Sequence, residues 1–215
     1  MEAVAREVGH RGPFSAEDLA SLNELHVRNA RSLKGIQYCS SLEILIIVGC
    51  DPVDIRDLMD ISGLRSLTIR DSGLMDLQGV TELSLRSFTV PRNFLSDVSS
   101  LLSCSRLQSA DLTGNPLTED SYFRVIPELR KKLRRVRSSD ELEWRVTAHL
   151  HRCGVFVSCY KDDRGYRLCR PGMGLTGSPE FAHPVITEDG AQSLLRDAQK
   201  AYEYFDGNDF LTPTD

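Results

Sequence analysis

The sequence predicts an α/β solenoid with a parallel concave sheet, followed by a small α+β unit. Three observations carry that expectation. An apolar phrase recurs through the first two thirds of the chain, a second row of buryable residues keeps step with it, and the pattern stops near residue 137.

The phrase is clearest at Leu42, Leu45, Ile47 and Cys50, which read LxxLxIxxC. The same offsets occur at Leu64, Leu67, Ile69 and Ser72, at Val80, Leu83, Leu85 and Phe88, and at Leu107, Ala110, Leu112 and Asn115. A degenerate earlier copy is Leu22, Leu25, Val27 and Ala30. Leu74, Val90 and Leu117 supply a further apolar residue after three copies, and Cys39, Ile61, Leu77 and Cys104 stand three residues ahead of the four full ones. One strand and one return segment cannot bury an apolar face alone, so such copies stack and share a core. Cys50 and Asn115 fall at the turn, where a side chain can satisfy backbone groups of the next coil. Successive copies begin 20, 22, 16 and 27 residues apart, so an irregular array is expected. The short coil leaves room for a tight turn, and the long one for a helix through Leu95, Val98, Leu101 and Leu102.

Composition excludes some classes. With 215 residues, 40% hydrophobic and 27% charged, the chain reads as an ordinary globular protein. A net charge of −5 argues against a general nucleic-acid binder, and no apolar run is long enough to span a membrane. Arg6, Glu7, His10, Arg11, Glu17 and Asp18 interrupt the start of the chain where a secretory signal would need an apolar stretch. The six cysteines lack paired short spacings and read as reduced, with a disulfide among Cys153, Cys159 and Cys169 open only to an exported chain. A cytoplasmic location is expected.

From about residue 15 to 137 the pattern resembles the leucine-rich-repeat family, in particular short bacterial repeats of the internalin kind. Ser15 to Leu22 followed by Leu33-Lys34-Gly35-Ile36 looks like the start of such an array behind a capping helix. Asn115-Pro116-Leu117 followed by Ile126-Pro127-Glu128-Leu129 looks like its closing turn. The resemblance implies a module that binds another protein on the concave face of its sheet. The uneven repeats and the charged start, where no export signal is expected, depart from secreted internalins, so host-cell adhesion does not carry over. Nor does ubiquitin-ligase chemistry, since the remaining tail is too short and shows no matching motif.

Alternate strand residues should face outward. They are Glu24, His26 and Arg28, then Ile44, Ile46 and Val48, then Ser66, Thr68 and Arg70, then Glu82, Ser84 and Arg86, then Ser109, Asp111 and Thr113. The apolar strip Ile44, Ile46 and Val48 reads either as a binding spot or as a seat for another part of this chain. Arg28, Arg70 and Arg86 form an expected edge column able to grip carboxylates. Ile44, Ile46, Val48, Ser66, Thr68, Arg70, Ser84, Arg86 and Asp111 are therefore the candidate partner-binding residues, for a protein with an acidic and apolar surface.

Residues 138–215 are expected as a second unit. The basic run Arg130, Lys131, Lys132, Arg134, Arg135 and Arg137 reads as the solvated end of a helix. A helix from about Asp140 to Cys153 follows, capped by Ser138 or Ser139 and closed by Gly154. Val155–Tyr160 and Gly165–Cys169 read as a hairpin, and Thr187 caps a last helix to about Phe205.

Chemistry has weaker support. His149 and Cys153 share a helical face, but His151 points the other way. Gly172, Gly174 and Gly177 match GxGxxG without the strand and helix that dinucleotide binding requires. His183, Cys159 and Asp162 could act in nucleophilic catalysis but carry no signature. A binding protein of inhibitor, immunity or adaptor type, without metal or cofactor, is the favoured reading. An enzyme or metal-binding protein with a Cys/His site in the C-terminal unit is the competing one.

Overall fold

A computed structural model of the chain describes residues 12–172 and 183–205. Helix α1, Ala16–Ala20, opens it behind a capping box in which Ser15 and Asp18 satisfy each other's backbone amides. Six short strands follow: β1 (Glu24–Arg28), β2 (Ile44–Val48), β3 (Ser66–Arg70), β4 (Ser87–Thr89), β5 (Ser109–Asp111) and β6 (Arg135–Arg137). They pair in chain order as one parallel sheet. Parallel neighbours need a crossover. Here the first four return segments are each built around a tight 3-10 turn, Ile36–Tyr38, Ile55–Leu58, Val80–Glu82 and Ser99–Ser103, while the fifth carries a helix that ends at Lys132.

The sheet register corrects the third repeat. Leu25, Leu45, Leu67, Phe88, Ala110 and Val136 lie side by side, so successive coils are offset by 20, 22, 21, 22 and 26 residues. The third phrase is therefore Leu85, Phe88, Val90 and Asn93, not Val80, Leu83, Leu85 and Phe88. The expected 16- and 27-residue coils do not exist. A 3-10 turn has three residues per turn and buries every third side chain, so Leu77, Val80 and Leu83 reproduce the spacing of the strand phrase just ahead of it. For the same reason Leu95, Val98 and Leu101 are buried around a 3-10 turn rather than on an α-helix. The basic run is also corrected. Its first three residues end helix α2, Ile126–Lys132, while Arg135 to Arg137 form the sixth strand, so the array does not close at Asn115 to Leu129.

Each of the first five coils turns out of its strand at one left-handed residue: Asn29, Gly49, Asp71, Arg92 and Gly114, with φ between 51° and 70°. The next residue points inward and ties the coils together. Cys50 N–H donates to Ser72 Oγ at 3.1 Å, Leu74 N–H to Asn93 Oδ1 at 3.3 Å and Leu95 N–H to Asn115 Oδ1 at 3.2 Å. Asn93 and Asn115 also donate through Nδ2 to Ile69 O and Val90 O, both at 2.8 Å. Buried backbone groups that strand pairing leaves over are satisfied this way.

Helix α3, Glu141–Arg152, is N-capped by Asp140 rather than by either serine. Its first turns belong to the array. Trp144 stacks on Tyr122 with ring centroids 4.2 Å apart and donates its indole N–H to Leu117 O at 2.8 Å. Its later turns belong to a separate core with Val146, Leu150, Val157, Cys159, Leu168 and Leu194. That core is covered by an antiparallel sheet of β7 (Ser158–Asp162), β8 (Gly165–Cys169) and β9 (Val185–Ile186). The expected last helix is broken into α4, Glu188–Leu194, capped by Thr187, and α5, Lys200–Glu203. Strand β9 was not anticipated; two residues carry no readable alternation.

Candidate functional site

The outer face of the parallel sheet has two halves. In the first, Ile44 lies between Glu24 and Ser66, Ile46 between His26 and Thr68, and Val48 between Arg28 and Arg70. Ile44 is 37% exposed, whereas Val48 is 2% exposed, so the expected apolar strip narrows to Ile44 and the half-buried Ile46. Ser66, Thr68 and Arg70 are half-buried beside it.

Two candidate residues fall off the face. The register that pairs Ser66 with Ser87 and Thr68 with Thr89 places Ser84 and Arg86 before strand β4. Arg86 heads that strand: its N–H donates to Arg65 O at 2.7 Å and its carbonyl accepts from Gln108 and Ser109. The column Arg28, Arg70, Arg86 is therefore not formed, and Pro91 takes the place next to Arg70. Ser87 and Thr89 take the outward places that the repeat spacing alone gives to Ser84 and Arg86. Arg135 and Arg137, which the basic run conceals, are both exposed on β6.

The second half is walled. Hairpin residues Tyr160 to Asp163 stand over the sheet and enclose a cleft of about 500 Å³ against Thr68, Arg70, Thr89 and Asp111. Its charges are mixed. Asp111 lies 3.5 Å from Arg137 and accepts from Thr113 Oγ1 at 2.7 Å, while Lys161 and Asp163 come from the opposite wall.

Beneath the hairpin is a buried polar cluster joining the array to the C-terminal unit. Asp71 and Arg92, from the left-handed slots of adjacent coils, form a two-pronged ion pair, with Arg92 Nη2 to Asp71 Oδ2 at 3.1 Å. Gly114 is needed here: its φ is +70°, and a Cβ would come within 2.7 Å of Arg92 Cγ. Cys169 Sγ donates to Asp71 Oδ1 at 3.4 Å, and the Gly172 N–H donates to Asp71 O at 3.0 Å. His183 Nδ1 meets Tyr160 Oη at 2.9 Å, and the Arg92 guanidinium lies 4.4 Å from the centre of the Tyr160 ring.

Burial opposes charge on Asp71, but hydrogen bonds and charge from Arg92 outweigh it and hold the carboxyl below its ordinary range. Burial pushes the Cys169 thiol well up, with Asp71 adding to the rise. Burial lowers His183 to about 4, against the pull of Asp71 and with the help of Arg92. At neutral pH the cluster is thus an ion pair flanked by a neutral thiol and a neutral imidazole.

The other expected sites disperse. His149 and Cys153 approach to 3.7 Å on an exposed face of α3. His151 packs between Phe94 and Phe156, and burial lowers its pKa to about 4. Cys159 is buried in the second core, and Asp162 pairs with Arg167, so neither joins His183. All six cysteines are free. Of the glycine motif only Gly172 is described; residues 173–177 lie outside the described residues. Among the described residues no helix is long and apolar enough to cross a membrane.

The register and repeating core define the chain as a short parallel-sheet solenoid carrying an α+β unit. No protein-family model matches it, and no curated protein matches it either. Among solved structures it is similar to an internalin C2 from Listeria monocytogenes str. 4b F2365, at 16% identity over 66% of this chain and 75% of that one, with a TM-score of 0.42. It is also similar to an internalin (inlF) from the same strain, at 17% identity over 69% of this chain and 58% of that one, with a TM-score of 0.35.

Proposed function

We propose that the chain is a binding module that engages another protein through the outer face of its parallel sheet, and that it is not an enzyme. The observation that carries this reading is the exposed Ile44 beside the half-buried Ile46 on an otherwise polar sheet face. A small apolar spot ringed by polar side chains offers a partner an anchor with a hydrogen-bonding rim. Ser66 and Thr68 adjoin it, and the cleft under the hairpin continues it with Arg70, Asp111 and Arg137. The guanidinium of Arg137 and the ammonium of Lys161 suit acidic side chains on a partner that also supplies an apolar residue for Ile44 and Ile46. An inhibitor, immunity or adaptor role in a bacterial cytoplasm is the finer form of this proposal.

The test pairs two variants, Ile46→Asp and Arg137→Glu, with the wild-type chain in affinity capture, followed by titration of the purified partner. Each variant is expected to weaken binding by at least tenfold, since burying an unpaired charge at an interface centre costs about 2 kcal/mol or more. Unchanged affinity in both variants would remove the sheet face as the binding surface.

A further inference from the structure

We propose that Asp71, Cys169 and His183 form a site for a divalent cation of the zinc class, which clips the C-terminal unit onto the repeat array. This goes beyond the binding reading and does not depend on it. A carboxylate oxygen of Asp71, Sγ of Cys169 and a ring nitrogen of His183 all lie within 4.8 Å of one another, and all three residues are buried. Thiolate, imidazole and carboxylate are the three zinc ligands that proteins use. Ligand atoms around a tetrahedral zinc stand about 3.3–3.8 Å apart at the usual bond lengths, so this cluster needs only a small contraction. Cys169 Sγ and Asp71 Oδ1, at 3.4 Å, are already at that separation.

The second observation is an orphan. His183 is 2% exposed, its Nδ1 is engaged by Tyr160, and its Nε2 has no hydrogen-bond partner among the described residues. A buried ring nitrogen without a partner calls for an explanation. A metal-binding histidine has one nitrogen on the ion while the other donates to an oxygen that fixes the ring. Tyr160 Oη supplies that oxygen, which leaves Nε2 as the coordinating atom.

Asp71 is also set as a ligand would be. Its two oxygens offer about four lone-pair sites, so Arg92 can keep its fork on the carboxylate while one lone pair turns to the ion. Binding replaces the Cys169 S–H by a metal–sulfur bond and releases one proton to solvent. Three protein ligands leave one tetrahedral position for a small ligand. Because the ligands come from the turn after β3, from strand β8 and from the position two residues ahead of β9, coordination would join parts of the chain that are 98 residues apart at Asp71 and Cys169.

The experiment uses the full chain with Cys153→Ser, which silences the exposed Cys153–His149 pair. After treatment with a chelator, the protein is titrated with cobalt(II), and then with zinc in a thermal melt. We expect one equivalent of cobalt to give a sulfur-to-cobalt charge-transfer band, and zinc to displace it and raise the Tm by several degrees. Adding Cys169→Ser should abolish the band, and His183→Gln should weaken cobalt binding by more than tenfold. No cobalt band, or a band that survives Cys169→Ser, overturns the proposal. Should Cys169→Ser fail to fold by circular dichroism, His183→Gln decides: undiminished cobalt affinity overturns the site.

Discussion

The repeat array and the C-terminal unit bury their apolar residues in different ways. In the array each buried side chain occupies a numbered slot. Leu45 meets Leu67, which meets Phe88, so every coil supplies half of two interfaces. In the C-terminal unit the core is assembled once, from α3, the three-stranded sheet and α4, with no slot repeated. Trp144 belongs to the first core and Val146 to the second, on the same helix. A solenoid tolerates loss at its ends better than in its middle, because stability there is close to a sum over neighbouring coils. A small single core has no such reserve and leans on its contacts with the array.

That difference can be broken by cutting both cores. Phe88→Ala removes a fully buried ring from the middle of the array and should cost roughly 3–5 kcal/mol. Leu168→Ala removes a fully buried side chain from the C-terminal core and should cost roughly 2–5 kcal/mol. Trp144 is the single tryptophan and sits where the two cores meet, so its fluorescence reports on the junction. If the two regions unfold together, fluorescence and far-ultraviolet circular dichroism will give one urea midpoint in both variants. A midpoint by fluorescence that separates from that by dichroism in Leu168→Ala alone would show the C-terminal unit undocking before the array melts.

The same contrast explains what the sequence revealed. The inward strand residues of β1, β2, β3 and β5 are legible because the phrase repeats there at the same offsets. The coil carrying β4 is ambiguous in the sequence because a 3-10 turn and the LxxL strand phrase both bury residues three apart. Asn93 and Asn115 were the discriminating signal: both are turn asparagines, and both are tied to the coil before them. Strand β6 was hidden by its charge, since Leu133 and Val136 are the only apolar residues in a basic run. The buried cluster at Asp71 was not legible at all. Its members belong to elements far apart in the chain, and no local spacing links Asp71 to Cys169 or His183. On the outer face, Ile44, Ile46, Thr68, Arg70 and Asp111 were placed correctly on strands, while Ser84 and Arg86 inherited the error in register.

The asparagine ladder sharpens the comparison further. Asn115 Nδ2 donates to Val90 O and Leu112 O, and its Oδ1 accepts from Leu95 N–H. Asn115→Ala leaves these buried groups without partners and should cost about 3 kcal/mol, mostly through the unsatisfied backbone. Asn29, by contrast, occupies a turn slot at the first, exposed coil, so Asn29→Ala should cost only about 1 kcal/mol, from its positive φ of 51°. Chemical denaturation of the two variants measures the gap. Equal losses would mean that the turn backbone, and not the ladder, holds adjacent coils together.

A pH-dependent effect tests the junction itself. Glu143 is N3 of α3, where its side chain accepts from the Asp140 N–H at 2.5 Å. Burial raises its pKa to about 7, the nearby Asp140 charge adds to the rise, and Lys161 offsets part of it. An unfolded glutamate titrates near its ordinary value of 4.5. Between those two values the unfolded chain gives up this proton while the folded one keeps it. The sign is therefore fixed: this group's stabilising share is complete below about 4.5 and is lost as the pH rises through about 7. Glu143→Gln keeps the acceptor of the capping box without the charge. It should stabilise the protein by about 2 kcal/mol at pH 8, by little at pH 4, and flatten the curve between. Stability measured by urea denaturation at several pH values checks this. A wild-type and variant pair that run parallel from pH 4 to 8 would mean that the first turn of α3 opens to water, and that the Trp144 contact does not seal the junction.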